Sequence, residues 1–284
     1  MSQSLLQRSS VTYAASISGL GPRWQMALAF FADMDGESIQ KDLVCYNAAI
    51  NTCERRSCWQ VAISLLERIP RADAISFGAV ISACANGLAW PVALHLLFKT
   101  MAAASVATTA VTVGAAISAC GNSFQWHLAL QVLQRARSDK VKLDAVVYNA
   151  SIAACETAWH MALEIFGRMP VAQLHPSIVT YNSIISACEQ GRQWQACSML
   201  LNDMRLAGLQ SKEAFGSAIL ACAREQAWQT ALSLCGAMSL QSVQKDADVC
   251  SSAMVACEAG GRFRVAAELL SDAAFLTQSE LQWR

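Results

Sequence analysis

A unit of about 35 residues is written eight times along this chain. Seven of the eight tryptophans, Trp24, Trp59, Trp90, Trp126, Trp159, Trp194 and Trp228, follow one another at intervals of 31 to 36 residues, and Phe263 takes the next slot. Cys53, Cys84, Cys120, Cys155, Cys188, Cys222 and Cys257 keep step, each four to six residues ahead of its aromatic. A period in this range marks a stacked array and not a single-core globule.

Residues 178–211 show the unit most clearly. Tyr181, Ile184, Ile185 and Cys188 recur at helical steps, as do Trp194, Cys197, Leu200, Leu201 and Met204. Gly191 with its polar neighbours breaks the first run, as a helix–helix turn should, and Gly208 closes the second, as glycine does just past a helix end. Each unit is therefore expected to be a helix–turn–helix hairpin. A lone hairpin cannot bury its apolar face, so the fold class expected is all-α: a right-handed α-solenoid superhelix of stacked hairpins. The expected repeats are 10–42, 43–73, 74–109, 110–144, 145–177, 178–211, 212–246 and 247–281, with short tails at 1–9 and 282–284. Each aromatic is expected to sit between its own hairpin and a neighbour.

The heads of the first helices read VTYAASISGL (11–20), VCYNAAINTC (44–53), ISFGAVISAC (75–84), VTVGAAISAC (111–120), VVYNASIAAC (146–155) and VTYNSIISAC (179–188). The second helix carries WQMAL (24–28), WHMAL (159–163) and WQTAL (228–232). This pattern resembles the pentatricopeptide repeat family over residues 10–280. A tetratricopeptide pattern would place Trp early in the first helix, followed by Leu-Gly; here Trp opens the second helix. The resemblance implies binding of single-stranded RNA, one base per repeat.

Composition limits the alternatives. The chain is 54% apolar and 15% charged, as suits helices wetted on few faces. Thr100–Gln134 holds no Asp, Glu, Lys or Arg, but its polar residues and the repeat boundary inside it favour a continuous array over a membrane span. The cysteines have no Cys-x-x-Cys spacing, so neither zinc nor a disulfide framework is expected, and abundant thiols favour a reducing compartment. No phosphate loop, Gly-x-Ser-x-Gly, His-Glu-x-x-His or deaminase signature is present, and no catalytic domain is expected after the array. The sequence thus reads as a non-enzyme with no cofactor, no metal, no membrane and no small-molecule substrate. His127 and His160, each after a repeat Trp, are read as packed or surface residues that stack on adjacent hairpins.

The resemblance assigns base contact to the second, fifth and last residues of each repeat. The second position holds Val11, Val44, Ile75, Val111, Val146 and Val179. Sandwiching a base and facing the neighbouring helix are both open to these side chains. The fifth is Asn47, Asn149 and Asn182, closed by Asp73, Ser177 and Ser211. Two roles are open for the asparagines, reading a pyrimidine edge or capping a helix. The fifth position is glycine at Gly78, Gly114 and Gly216, which carry no reading group, and Glu213 and Asp248 replace the aliphatic residue in the last two repeats, which are expected to cap the array. The family pattern then implies the unpaired core U-x-x-C-C. Net charge is zero, with 21 basic and 21 acidic residues, so RNA affinity should be modest. The basic group Arg135, Arg137, Lys140 and Lys142 reads as a solvated surface. A protein partner lying in the groove, the chain serving as a scaffold, is the alternative.

No secretory apolar segment opens the chain, and residues 1–32 lack acids and are rich in serine. From residue 10 this stretch is already the first repeat, so no cleavable leader is expected within it, and the short N-terminus suits a piece of a longer chain. The resemblance implies a mitochondrion or chloroplast.

Overall fold

The structure, a computed structural model, describes residues 10–20, 23–36, 40–240 and 247–261. Phe263, the end of the eighth repeat and both tails lie outside the described residues. Two compact units divide the chain between Ala154 and Cys155. The first contains α1 (Ser10–Gly19), α2 (Trp24–Gly36), α3 (Leu43–Glu54), α4 (Trp59–Glu67), α5 (Ala74–Asn86), α6 (Trp90–His95), a π-helical turn (Leu96–Thr100), α7 (Met101–Ala103), α8 (Ala110–Asn122), α9 (Trp126–Ser138) and α10 (Ala145–Ala154). The second contains α11 (Trp159–Arg168), α12 (Ile178–Gln190), α13 (Trp194–Leu206), α14 (Lys212–Arg224), α15 (Trp228–Leu240) and α16 (Ala247–Ala259). No strand occurs among the described residues. No helix among them is long and apolar enough to cross a membrane, and no three of their His, Cys, Asp or Glu side chains form a group that could hold a metal.

Small side chains let the first helices lie close. In the first unit α1 packs on α3, α3 on α5, α5 on α8 and α8 on α10; in the second, α12 packs on α14 and α14 on α16. Ala49, Cys53, Ala83, Cys84, Ala116, Ala119 and Cys120 are wholly buried. A Cβ on Gly121 would lie 2.8 Å from Ala154 Cβ, so even a methyl group is excluded there. Within a unit, a second helix packs on its own first helix and the next one: α4 on α3 and α5, α13 on α12 and α14. The second helices stand further apart. In the first unit, cavities of about 650 Å³ and 300 Å³ open beside α4 and α6 and beside α9. The longest tryptophan interval, Trp90 to Trp126, contains the π-helical turn, which holds one more residue per turn than α-helix.

The turn between the two helices of a hairpin begins at the repeat cysteine. The repeat cysteine's carbonyl accepts the N–H five residues on, Ala89 to Cys84 (2.9 Å), Gln125 to Cys120 (2.8 Å), Gln193 to Cys188 (2.8 Å) and Ala227 to Cys222 (2.9 Å). This bond is the helix-ending Schellman closure. Its left-handed residue is not glycine: Leu88, Phe124, Arg192 and Gln226 hold φ of 56°, 57°, 58° and 57°. Gly191 ends its helix in the turn, as expected, and has a second purpose. Its φ is −76°, and a Cβ there would overlap the Trp159 ring. Gly87 meets Trp59, and Gly260 meets Trp228, in the same way. Each of these tryptophans is the first residue of its helix and is half-buried, lying against bare backbone of the next hairpin instead of deep in a core. Gly208, at φ +73°, closes α13 as expected.

Opposite effects follow at two turn positions. Gly191→Ala should destabilise the chain by about 1–3 kcal/mol, because Trp159 must leave its seat. Phe124→Gly should stabilise it by about 1 kcal/mol by relieving the left-handed strain of a side chain that is exposed. Urea denaturation midpoints of both variants check this, and equal signs would refute the distinction.

All twelve cysteines are free, and eleven are buried. Burial pushes Cys53, Cys84, Cys120, Cys155 and Cys222 up to about 11. The folded chain thus keeps protons that the unfolded chain loses near pH ~8.5. The resulting stability is complete below that pH and is lost as pH climbs through about 11. Thermal stability should fall steeply between these limits, and a thiol reagent at neutral pH should label few native cysteines but all twelve after denaturation without reductant.

Candidate nucleic-acid interface

The last residue of one repeat is the N-cap of the next first helix. Asp42 Oδ1 accepts Cys45 N–H (2.9 Å), Asp73 accepts Ser76 N–H (2.8 Å) and Asp144 accepts Val147 N–H (3.0 Å). Thr109 and Thr112, and Ser177 and Thr180, make reciprocal capping boxes. Ser211 Oγ accepts Ala214 N–H (3.3 Å). Each cap satisfies a backbone donor that the helix itself cannot. The closing residues Asp73, Ser177 and Ser211 therefore fulfil the capping role that was open for the asparagines. The signal was in the sequence as D-A-I-S (73–76), T-A-V-T (109–112) and S-I-V-T (177–180), a spacing the sequence reading passed over. Burial works to raise the Asp73 carboxyl, but hydrogen bonds from Ser76 outweigh it and hold Asp73 below the usual carboxylate range.

The second-position side chains point outward. Val11, Val44, Ile75, Val111 and Val146 are between 62% and 71% exposed in the first unit, and Val179 is 59% exposed in the second. In the first unit Val111, Gly114, Asp144 and Val146 line one cavity of about 370 Å³, together with Glu54 and Asn86. These four are the second, fifth and last positions of one repeat and the second of the next. Gly114, lacking a side chain, leaves the space between the two valines open. The volume falls in the range of small-ligand pockets.

Asn47 lies half-buried beside its closing residue. Ser76 Oγ, wholly buried, is 2.7 Å from Asn47 Oδ1 and 2.8 Å from Asp73 Oδ1, so one hydroxyl ties the pair together. Asn149, in the first unit, and Asn182, in the second, are also half-buried. Ser177 is exposed, whereas Ser211 is buried. Glu213 is exposed, and the Asp248 side chain lies outside the described residues.

An ion pair joins α12 and α14. Arg224 Nη1 is 2.6 Å from Glu189 Oε1. Burial pushes Glu189 above the usual carboxylate range, against the pull of Arg224. Asn86 and Asn122 donate to the carbonyls of Glu54 (3.0 Å) and Ala85 (3.1 Å), joining successive first helices. The basic residues Arg135 and Arg137 sit at the end of the second helix α9; Arg135 stacks on Phe98 at 4.7 Å and lies 3.9 Å from Asp139. His127 and His160 lie edge-on to Trp126 and Trp159, their neighbours in the chain.

Two family models match the chain, a pentatricopeptide repeat domain over residues 131–190 and a PPR repeat over residues 179–209. Over residues 131–209 the chain is built of pentatricopeptide repeats. No curated protein sequence matches it. Among solved structures it is similar to the pentatricopeptide repeat protein PPR10 from maize, with a TM-score of 0.81 and 16% identity over 96% of this chain and 39% of that one. It is also similar to PPR10 in complex with an 18-nt psaJ RNA element, with a TM-score of 0.78 and 16% identity over 98% of this chain and 41% of that one. The PPR domain of Arabidopsis thaliana protein-only RNase P 1 in complex with tRNA matches with a TM-score of 0.52 and 17% identity, over 57% of this chain and 86% of that domain. These likenesses show the fold. This chain spans about two fifths of the length of PPR10.

The cap and any reading role of a closing residue can be separated by substitution. Asp73→Ala should cost about 1 kcal/mol of stability and Asp73→Asn well under half of that, because asparagine caps as well as aspartate does. Equal losses in a chemical melt would show that the carboxylate acts through charge and not through the cap.

Proposed function

We propose that this protein binds single-stranded RNA along the faces of its first helices and acts without catalysis. The observation that carries the reading is the cavity around Gly114, where Val111, Asp144 and Val146 converge. Exposed aliphatic side chains on either side of a gap offer packing surface to a flat base, and a polar residue at its edge offers hydrogen bonds. Asn47 with Asp73, and Asn149 in its own repeat, supply amide groups at the fifth position, the first favouring uracil and the second cytosine. The glycine repeats between them accept any base. PPR10 in complex with an RNA element, at 16% identity, supports the class of ligand and not the sequence bound. The family resemblance extends the reading to an organelle, mitochondrion or chloroplast, and to transcript processing, stability or translation.

A protein partner is the second reading, favoured by the balance of 21 basic and 21 acidic residues and by the pairing of Arg224 with Glu189. Fluorescence anisotropy with unpaired oligonucleotides separates the two. Binding should weaken with added salt along a shallow slope, since few cations displace counterions. Asn149→Thr should move the preference at its own nucleotide from pyrimidine toward purine by about tenfold while leaving the uracil preference unchanged. Unchanged preferences, together with capture of a defined protein, would favour the scaffold.

A further inference from the structure

The asparagines at the fifth position do not stand in equal surroundings. We infer that residues 213 and 214 silence base discrimination by the Asn182–Ser211 pair, and that Ser76, the counterpart of Ala214, is what makes Asn47 selective. This rests on the RNA reading above.

At Asn47 the third residue of the following helix is a serine. Ser76 N–H and Oγ both reach Asp73 Oδ1, each at 2.8 Å, and Oγ also lies 2.7 Å from the Asn47 amide. Ser76 has one hydroxyl proton. Given to the Asp73 carboxylate, it leaves an Oγ lone pair for an Asn47 amide N–H; given to Asn47, it fixes the amide oxygen. In either assignment the amide plane is held and one edge is committed, so the opposite edge presents a single kind of group to a base.

At Asn182 the corresponding residue is Ala214, which has no hydroxyl. Asn182 Oδ1 is buried and makes no hydrogen bond. The amide is then free to turn by 180°, presenting a donor or an acceptor at similar cost. Its closing partner is also occupied. Ser211 Oγ accepts Ala214 N–H at 3.3 Å and donates its one proton to Glu213 Oε2 at 2.7 Å. No hydroxyl proton remains for a base edge. Glu213 stands where earlier repeats carry an exposed aliphatic side chain, and its carboxylate repels the RNA backbone. Loss of orientation and loss of the donor act together. The U-x-x-C-C core implied by the repeat register therefore contracts to U-x-x-C-x.

Two measurements test this. Anisotropy with four oligonucleotides that differ only at the Asn182 nucleotide should give affinities within about twofold for the natural chain. Glu213→Val with Ala214→Ser should open a preference of about tenfold there, and Ser76→Ala should flatten the preference at the Asn47 nucleotide without touching that at Asn149. Discrimination at Asn182 as sharp as at Asn47 in the natural chain, or an indifferent Ser76→Ala, overturns the inference. The side-chain amide signals in NMR need no RNA. Turning about the Cβ–Cγ bond, read by side-chain 15N relaxation, should be slow at Asn47 and faster at Asn182, and Ala214→Ser should slow it; equal rates in the natural chain overturn the inference. If no oligonucleotide binds while the amide rates differ as stated, the RNA reading alone has failed.

Discussion

Everything in these units hangs on how closely one first helix can approach the next. Cysteine, alanine and glycine at the contact keep side chains short, and at Gly121 against Ala154 even a methyl group is one too many. That closeness brings Ser76 within hydrogen-bond reach of Asn47, 29 residues earlier, and lets Asn86 and Asn122 cross to carbonyls of the helix before. It also exposes the second-position valines, since residues at the tip of a tightly stacked row have no room between helices. The second helices carry larger side chains and stand apart, and the cavity of about 650 Å³ opens beside two of them. Within each unit the two layers are thus packed to different densities, dense on the first-helix side.

Much of the fold was legible because a period survives any error in a single copy. The two helices of the hairpin and the all-α class follow from helical spacing alone. That Trp59, Trp159 and Trp228 each lie against a neighbouring hairpin followed as well, but not what they pack on. Trp159 and Gly191 are 32 residues apart, and nothing local marks them as partners. An aromatic that recurs suggests a core, whereas here it lies half-buried on a backbone surface. Glycine beside a turn suggests a left-handed residue, whereas Arg192 takes that conformation and Gly191 makes room for a ring.

The candidate site was legible in its positions and not in its state. Repeat register placed Val111, Gly114, Asp144 and Val146 in comparable roles, but only the fold shows them around one space. How far the second-position valines stand out could not be read from periodicity, because it depends on where the next repeat lies. The asparagines read alike in the sequence, and their difference comes from residues 76 and 214 in the following repeats. Formal charge also misleads: Arg224 counts as a cation available to phosphate until Glu189 is found beside it.

The cap shared between neighbouring repeats has a consequence for how such a chain can change. A closing residue belongs to one repeat by register and to the next by structure. Mutation at that place is filtered first by helix initiation, which admits Asp, Asn, Ser and Thr and penalises most others. Asp42, Asp73, Thr109, Asp144, Ser177 and Ser211 all come from that short alphabet. Drift at these places is confined to a handful of polar side chains that are close to interchangeable for folding. A chain built this way can vary its closing residues by single substitutions without leaving the set of foldable sequences.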